Sequence, residues 1–259
     1  MVRGLYTAYT GMVNQQKRLD TITNNLANAS TNAYKREGAT ARAFDEMLAV
    51  KINDRTTGYI TKGIGNMSLG VKIGENYTDY SQGAFRQTEN TYDLALEGNG
   101  FFAISFTNKS GVESTKYTRD GEFTIDVDGY LRTKDGDYVL NDAGGFINVP
   151  TNASKVAITA VGEIYADQQY IDTIQVVDFE DYNYLKKYGE NMYETVEGAT
   201  FADSSAIMHQ GYLEASNINA VTEMVEMITI TRAYESNQKA LQSADEMLSK
   251  AVNEVGKLG

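Results

Sequence analysis

Apolar residues recur at two different spacings along this chain, and the change of spacing divides it. Toward the N-terminus Leu5, Met12, Leu19 and Leu26 return every seven positions, with Ala8, Ile22 and Ala29 filling most of the position three further on. Toward the C-terminus Met227, Tyr234, Leu241, Leu248 and Val255 return every seven, accompanied by Ile230, Ala244, Ala251 and Leu258. That spacing lays one narrow apolar stripe along a helix, the seam of a coiled coil. Between the two ends, apolar and polar residues instead alternate between Gly, Asn and Asp turns, the period of strands. The pattern predicts an α+β fold. Long N- and C-terminal helices pair as a coiled-coil core domain, with a β-rich outer domain inserted between them.

The first helix is expected over residues 2–29, roughly 42 Å at ~1.5 Å per residue. Its many amides (Asn14, Gln15, Gln16, Asn24, Asn25) and few oppositely charged pairs one turn apart make it marginal alone. Residues 39–50 read as a second short helix. Residues 51–74 are polar and punctuated by Gly58, Gly63, Gly65 and Gly70, the composition of an extended arm or hairpin. Strands follow at 92–97 and 101–106, and at 122–127 and 130–133 around the Asp128-Gly129 turn. Further runs at 137–140, 146–149, 156–159, 163–166 and 173–179 complete roughly seven to ten strands. The last helix is expected over residues 220–255, with Ser216, Asn217 and Asn219 as candidate caps. The expected segments are therefore an N-terminal helical core at 1–50, an arm at 51–82, a β-rich outer domain at 83–203 and a C-terminal helical core at 204–259.

Composition narrows the function. The 259 residues carry 35 acidic and 23 basic side chains, a net charge of −12. That balance argues against nucleic acid, whose phosphates need a concentrated basic surface. There is no Cys, hence no disulfide and no thiolate metal site. No run approaches the roughly 20 apolar residues that span a bilayer, so no direct membrane insertion is expected. Residues 2–20 lack the apolar stretch of a secretory signal, which points away from Sec-type export and leaves other routes open.

Candidate chemistry is thin. His209 is the only histidine and reads as structural or exposed. Asp126-x-Asp128-Gly129 with Asp135 resembles part of a Ca²⁺ loop, but Thr124 stands at its first position and the flanking Phe123-x-Ile125-x-Val127 is strand alternation, so a hairpin is expected. Gly98-x-Gly100 opens a strand and lacks a third glycine. Glu89 with Glu97, or Asp120 with Glu122, could be drawn as carboxylate pairs, yet such pairs arise by chance among so many acids. No catalytic, cofactor-binding or metal site is expected, and the chain is not expected to be an enzyme. The stripes are the informative feature. Gln15, Glu223 and Asn237 sit on the seam, while Tyr6, Tyr9, Met224 and Ile228 lie off it. One partner helix cannot cover all of these, so other copies or another chain should. Leu5, Met12, Leu19, Leu26, Met227, Tyr234, Leu241, Leu248 and Val255 are the candidate subunit-interface residues.

Specific words then match a family. Asn24-Asn25-Leu26-Ala27-Asn28 followed by Thr31-Asn32-Ala33-Tyr34-Lys35-Arg36 resembles the N-terminal signature of bacterial flagellar rod and hook proteins, which usually have Gly-Phe in place of Ala33-Tyr34. Asp93-Leu94-Ala95-Leu96-Glu97-Gly98-Asn99-Gly100-Phe101-Phe102 resembles the central motif, and Tyr117-Thr118-Arg119-Asp120-Gly121 its companion. Gly211-x-Leu213-Glu214-x-Ser216-Asn217-Ile218-Asn219, continuing to Arg232-Ala233-Tyr234-Glu235, fits the C-terminal stretch. The resemblance implies a structural subunit that stacks helically with copies of itself, and with other rod and hook-side proteins, into the hollow axle between motor and hook. It implies no cofactor, a place in the basal body outside the cytoplasmic membrane, and delivery through the flagellar type III export apparatus. Phe44 and Leu48 then look like the short apolar export signal of such subunits. The arm resembles the longer insertion of distal rod proteins, which favours the distal rod. A proximal rod subunit or another hook–basal body paralogue is the alternative, and an enzyme or surface adhesin with a helical stalk is the competing class.

Overall fold

The computed structural model describes residues 2–51, 62–68, 70–109, 111–153 and 155–255. Part of the expected arm, residues 52–61, and the seam residue Leu258 lie outside the described residues. The chain is α+β and divides into two compact units, one drawn from residues 1–27, 37–79 and 219–259, the other from 28–36 and 80–218.

The first unit holds two long helices, α1 (Val2–Ala27) and α2 (Ala220–Lys250), the latter running into a π-helical turn at Ala251–Val255. Asn219 caps α2, its side-chain oxygen accepting from the Val221 and Thr222 amides, which satisfies donors that have no partner within the helix. The helices pack antiparallel. Asn25 meets Glu223, Arg18 meets Glu226 at 3.1 Å, and Gly11 lies against the Asn237 amide. Strand β1 (Glu37–Ala43) pairs antiparallel with β4 (Val71–Thr78), and β2 (Met47–Lys51) with β3 (Lys62–Met67). Each ladder carries a bulge, between Ala39 and Ala41 and between Ala49 and Val50.

These strands correct the expectation of a second helix over residues 39–50. Glu37-Gly38-Ala39-Thr40-Ala41-Arg42-Ala43 has no helical stripe, and the Asn25 side chain captures Glu37 in extended form. The Asn25 amide nitrogen donates to the Glu37 carbonyl at 2.8 Å, and the Glu37 N–H donates back at 3.0 Å. Once extended, the segment finds a ladder partner in residues 71–78, which short-range patterning cannot see.

The second unit is the β-rich body. Its main sheet has nine strands, and strand 101–107 pairs with 113–118, with 138–139 and with 176–179. Because neighbours cover both of its faces, Phe101-Phe102-Ala103-Ile104 is a continuous apolar run rather than an alternating one. Phe102 enters one core with Leu94, Leu96, Phe123, Leu131, Ile147 and Ile164. Phe101 and Ala103 enter another with Tyr117, Phe179, Leu185 and Tyr193. Strands 123–125 and 131–133 form the hairpin expected around Asp128-Gly129, with Gly129 at φ 88°, a conformation that glycine adopts without steric cost. The described strands of this unit are shorter and more numerous than expected. The stretch 146–149 takes part only through the isolated bridges of Phe146 to Leu140 and Asn148 to Tyr130.

Candidate functional site

The first candidate surface is helical. Leu5, Met12, Leu19 and Leu26 on α1 and Met227, Tyr234, Leu241 and Leu248 on α2 are all half-buried. Val255 closes the terminal turn. Among the described residues, Ile22 and Ile230 are the only fully buried apolar side chains of this unit; the other buried apolar residues belong to the β body. The helix pair therefore leaves much of its stripe in contact with water. α2 also carries a second apolar stripe on its opposite face, Val221, Met224, Val225 and Ile228, all exposed. Their spacing of three, four and seven keeps them in line along the helix. Tyr6 and Tyr9 form a similar exposed pair on α1. Polar groups set the register beneath these stripes. Asn25 and Glu223 are buried together, and the partly exposed Arg18–Glu226 pair lies one turn further along.

A second constellation lies inside the β body. The Lys35 ammonium donates to Glu214 Oε1 at 2.6 Å and to the Ser81 carbonyl at 2.9 Å, and the Gly83 amide donates to the same Glu214 oxygen at 2.8 Å. Arg119 approaches Glu214 Oε2 at 3.5 Å, donates to the Gly98 carbonyl at 2.6 Å and lies over the Phe101 ring. All three charged side chains are almost completely buried. Gly121 completes the fit: a Cβ there would collide with the Leu94 carbonyl. Lys35, Leu96–Phe101, Arg119–Gly121 and Glu214 come from four separate words of the sequence, brought to one point. Enclosed carboxylate and cations that are each hydrogen-bonded hold the chain in place and offer nothing to a substrate. No periodicity flags these residues, because a buried charge breaks the hydrophobic pattern and its partner is 179 positions away.

The remaining candidates are dispersed. His209 Nε2 lies 2.7 Å from Glu97 across the ladder of 207–210 with 94–97, and both side chains are well exposed. Asp120 accepts from the Glu122 amide at 3.1 Å and from Asn191 at 2.7 Å. Burial is the largest influence on its carboxyl and, against those two hydrogen bonds, pushes it up to about 6. The Glu122 carboxylate is engaged by Asn32 and Lys134. Asp126 pairs with Arg132 at 2.8 Å. Among the described residues no cluster of His, Cys, Asp or Glu could hold a metal ion, and no helix is long and apolar enough to cross a membrane. Phe44 follows β1 and is partly exposed, while Leu48 lies within β2 opposite Asn66.

Comparison with known proteins adds the lineage. Residues 5–35 match the family described as flagella basal body rod protein. Residues 95–166 match the flagellar hook protein FlgE/F/G D1 domain, and residues 209–254 the flagellar basal body rod FlgEFG protein C-terminal family. The flagellar basal-body rod protein FlgG of Bacillus subtilis is 35% identical, over 98% of this chain and 99% of its own. The FlgG of Agrobacterium fabrum is 34% identical over 96% and 97%. The flagellar basal-body rod protein FlgF of Caulobacter vibrioides is 32% identical over 100% of both chains. The chain belongs to the flagellar basal-body rod and hook protein family.

Proposed function

We propose that this protein is a structural subunit of the flagellar basal-body rod, of the distal rod type, which self-assembles helically into the hollow shaft between motor and hook. The observation that carries the reading is the unfinished burial of the helical unit. A helix pair with two buried apolar side chains among the described residues and an exposed stripe on the far face of α2 is built to be completed by neighbours. In the assembled shaft the terminal helices form the coiled-coil core, with the β body outside it. Ordering of the helices is then coupled to addition at the growing tip. The absence of cysteine suits passage of an unfolded chain through the flagellar type III apparatus, with Phe44 and Leu48 as its short apolar signal. Its partners are further copies of itself and the adjoining rod and hook-side proteins, and its place is the basal body beyond the cytoplasmic membrane. The distal assignment rests on the arm, and a proximal rod subunit or another hook–basal body paralogue is the second reading.

Electron microscopy of the concentrated full-length chain tests self-assembly. Straight hollow tubes support the rod reading. A chain that stays monomeric at every concentration contradicts it. Deleting residues 56–68 tests the arm: export should persist while the shaft softens, and straight rods with unchanged motility count against the distal assignment.

A further inference from the structure

Beside α1 runs a groove lined by Tyr9, Val13, Asn14 and Lys17 on the helix and by Phe44 and Val71–Ile73 from the strands. Its walls are apolar and its rims are basic, with Lys17 exposed at one side and Lys72 lying over the Phe44 ring at the other.

Toward the end of α2, Met247, Leu248, Ala251 and Val252 share one face, with Met247 52% and Val252 70% exposed. Asp245 borders that face on the Val252 side.

Resting on the self-assembly reading above, we infer that the groove beside α1 receives the end of α2, residues 245–252, from a second copy of this chain. The apolar face of the segment fills the groove between Val13, Phe44 and Ile73. Asp245 meets the basic rim at Lys17 and Lys72. The donor and acceptor surfaces differ, so the contact is heterologous. Repeated, it propagates an open helical array instead of closing a dimer.

The native chain has no cysteine, which permits a direct test. One full-length variant carries Lys17→Cys and another Val252→Cys; the two are mixed, assembled and oxidised. The expected result is a disulfide-linked heterodimer that needs both variants and forms only under assembling conditions. Tubes that form without this crosslink overturn the groove assignment and leave the rod reading standing. A crosslink from Lys17→Cys to Val221→Cys instead assigns the groove to the outer stripe of α2 and also overturns it. A wild-type chain that never associates overturns both. In a second arm, Lys17→Glu with Lys72→Glu should raise the concentration needed for assembly by roughly tenfold, since like charges then face one another. Adding Asp245→Lys should recover much of that loss, and no recovery contradicts the charge pairing.

Discussion

The two units of this chain spend their apolar residues differently. In the β body, strand 101–107 is enclosed on both faces, Phe101 and Phe102 are fully buried in separate cores, and even the charges of Lys35, Arg119 and Glu214 are sealed inside and paired. In the helical unit, the stripes of α1 and α2 stay half-buried and a second face of α2 is open. The body is finished by its own sequence. The helices, on the function proposed above, are finished by neighbours. A unit with a sealed core resists unfolding by itself, whereas one with half-covered stripes gains its stability from association.

The largest break in this comparison should come from Leu241→Asp. A charge in the seam of α2 cannot be desolvated against neighbouring copies, so tubes should be lost entirely while the tyrosine near-UV signal of the body is unchanged. Assembly at wild-type yield would show that the seam is not the contact. Next comes Lys35→Met, which leaves Glu214 buried without its closest cation. It should destabilise the body by at most about 3–5 kcal/mol in urea denaturation followed at the tyrosines, because the buried carboxylate then keeps only Arg119 and the Gly83 amide as partners among the described residues. The chain contains no Trp, and most of its tyrosines lie in the body, so tyrosine reports mainly the body.

These two predictions differ in how far the residues behind them were legible. Leu241 announces itself, since a repeat of seven is visible without any structure. The strands around Asp128-Gly129 are equally plain, because alternation and a turn pair occur within a few residues. The helix expected at 39–50 was misread for a physical reason. Ala-rich composition and the four-residue spacing of Phe44 and Leu48 suit a helix locally, but the Asn25 hold on Glu37 and the ladder to 71–78 are contacts at a distance. Lys35, Arg119 and Glu214 were legible only as letters within family words. Nothing in their local sequence tells a buried ion pair from a solvated one.

A smaller effect should follow pH. Burial raises the Asp120 carboxyl from 3.8 to about 6, so between those values the folded body holds a proton that the unfolded chain has released. Stability of the body should therefore fall as pH rises through that window, and Asp120→Asn should flatten the dependence. A melting temperature that climbs across the same window in the wild type, unchanged by the substitution, would assign the slope to other groups. The smallest effect belongs to Glu97→Gln. Its contact with His209 is exposed on both sides, and thermal denaturation should register less than about 1 kcal/mol.

The central claim is that the helices are completed by neighbours while the body is not. Far-UV circular dichroism of the full-length chain across a wide concentration range, with electron microscopy of the same samples, tests it most directly. Helical signal that rises with concentration alongside straight tubes, over a constant tyrosine signal from the body, is the predicted result. A full helical signal at the lowest concentration, from a monomer that never forms tubes, would contradict it.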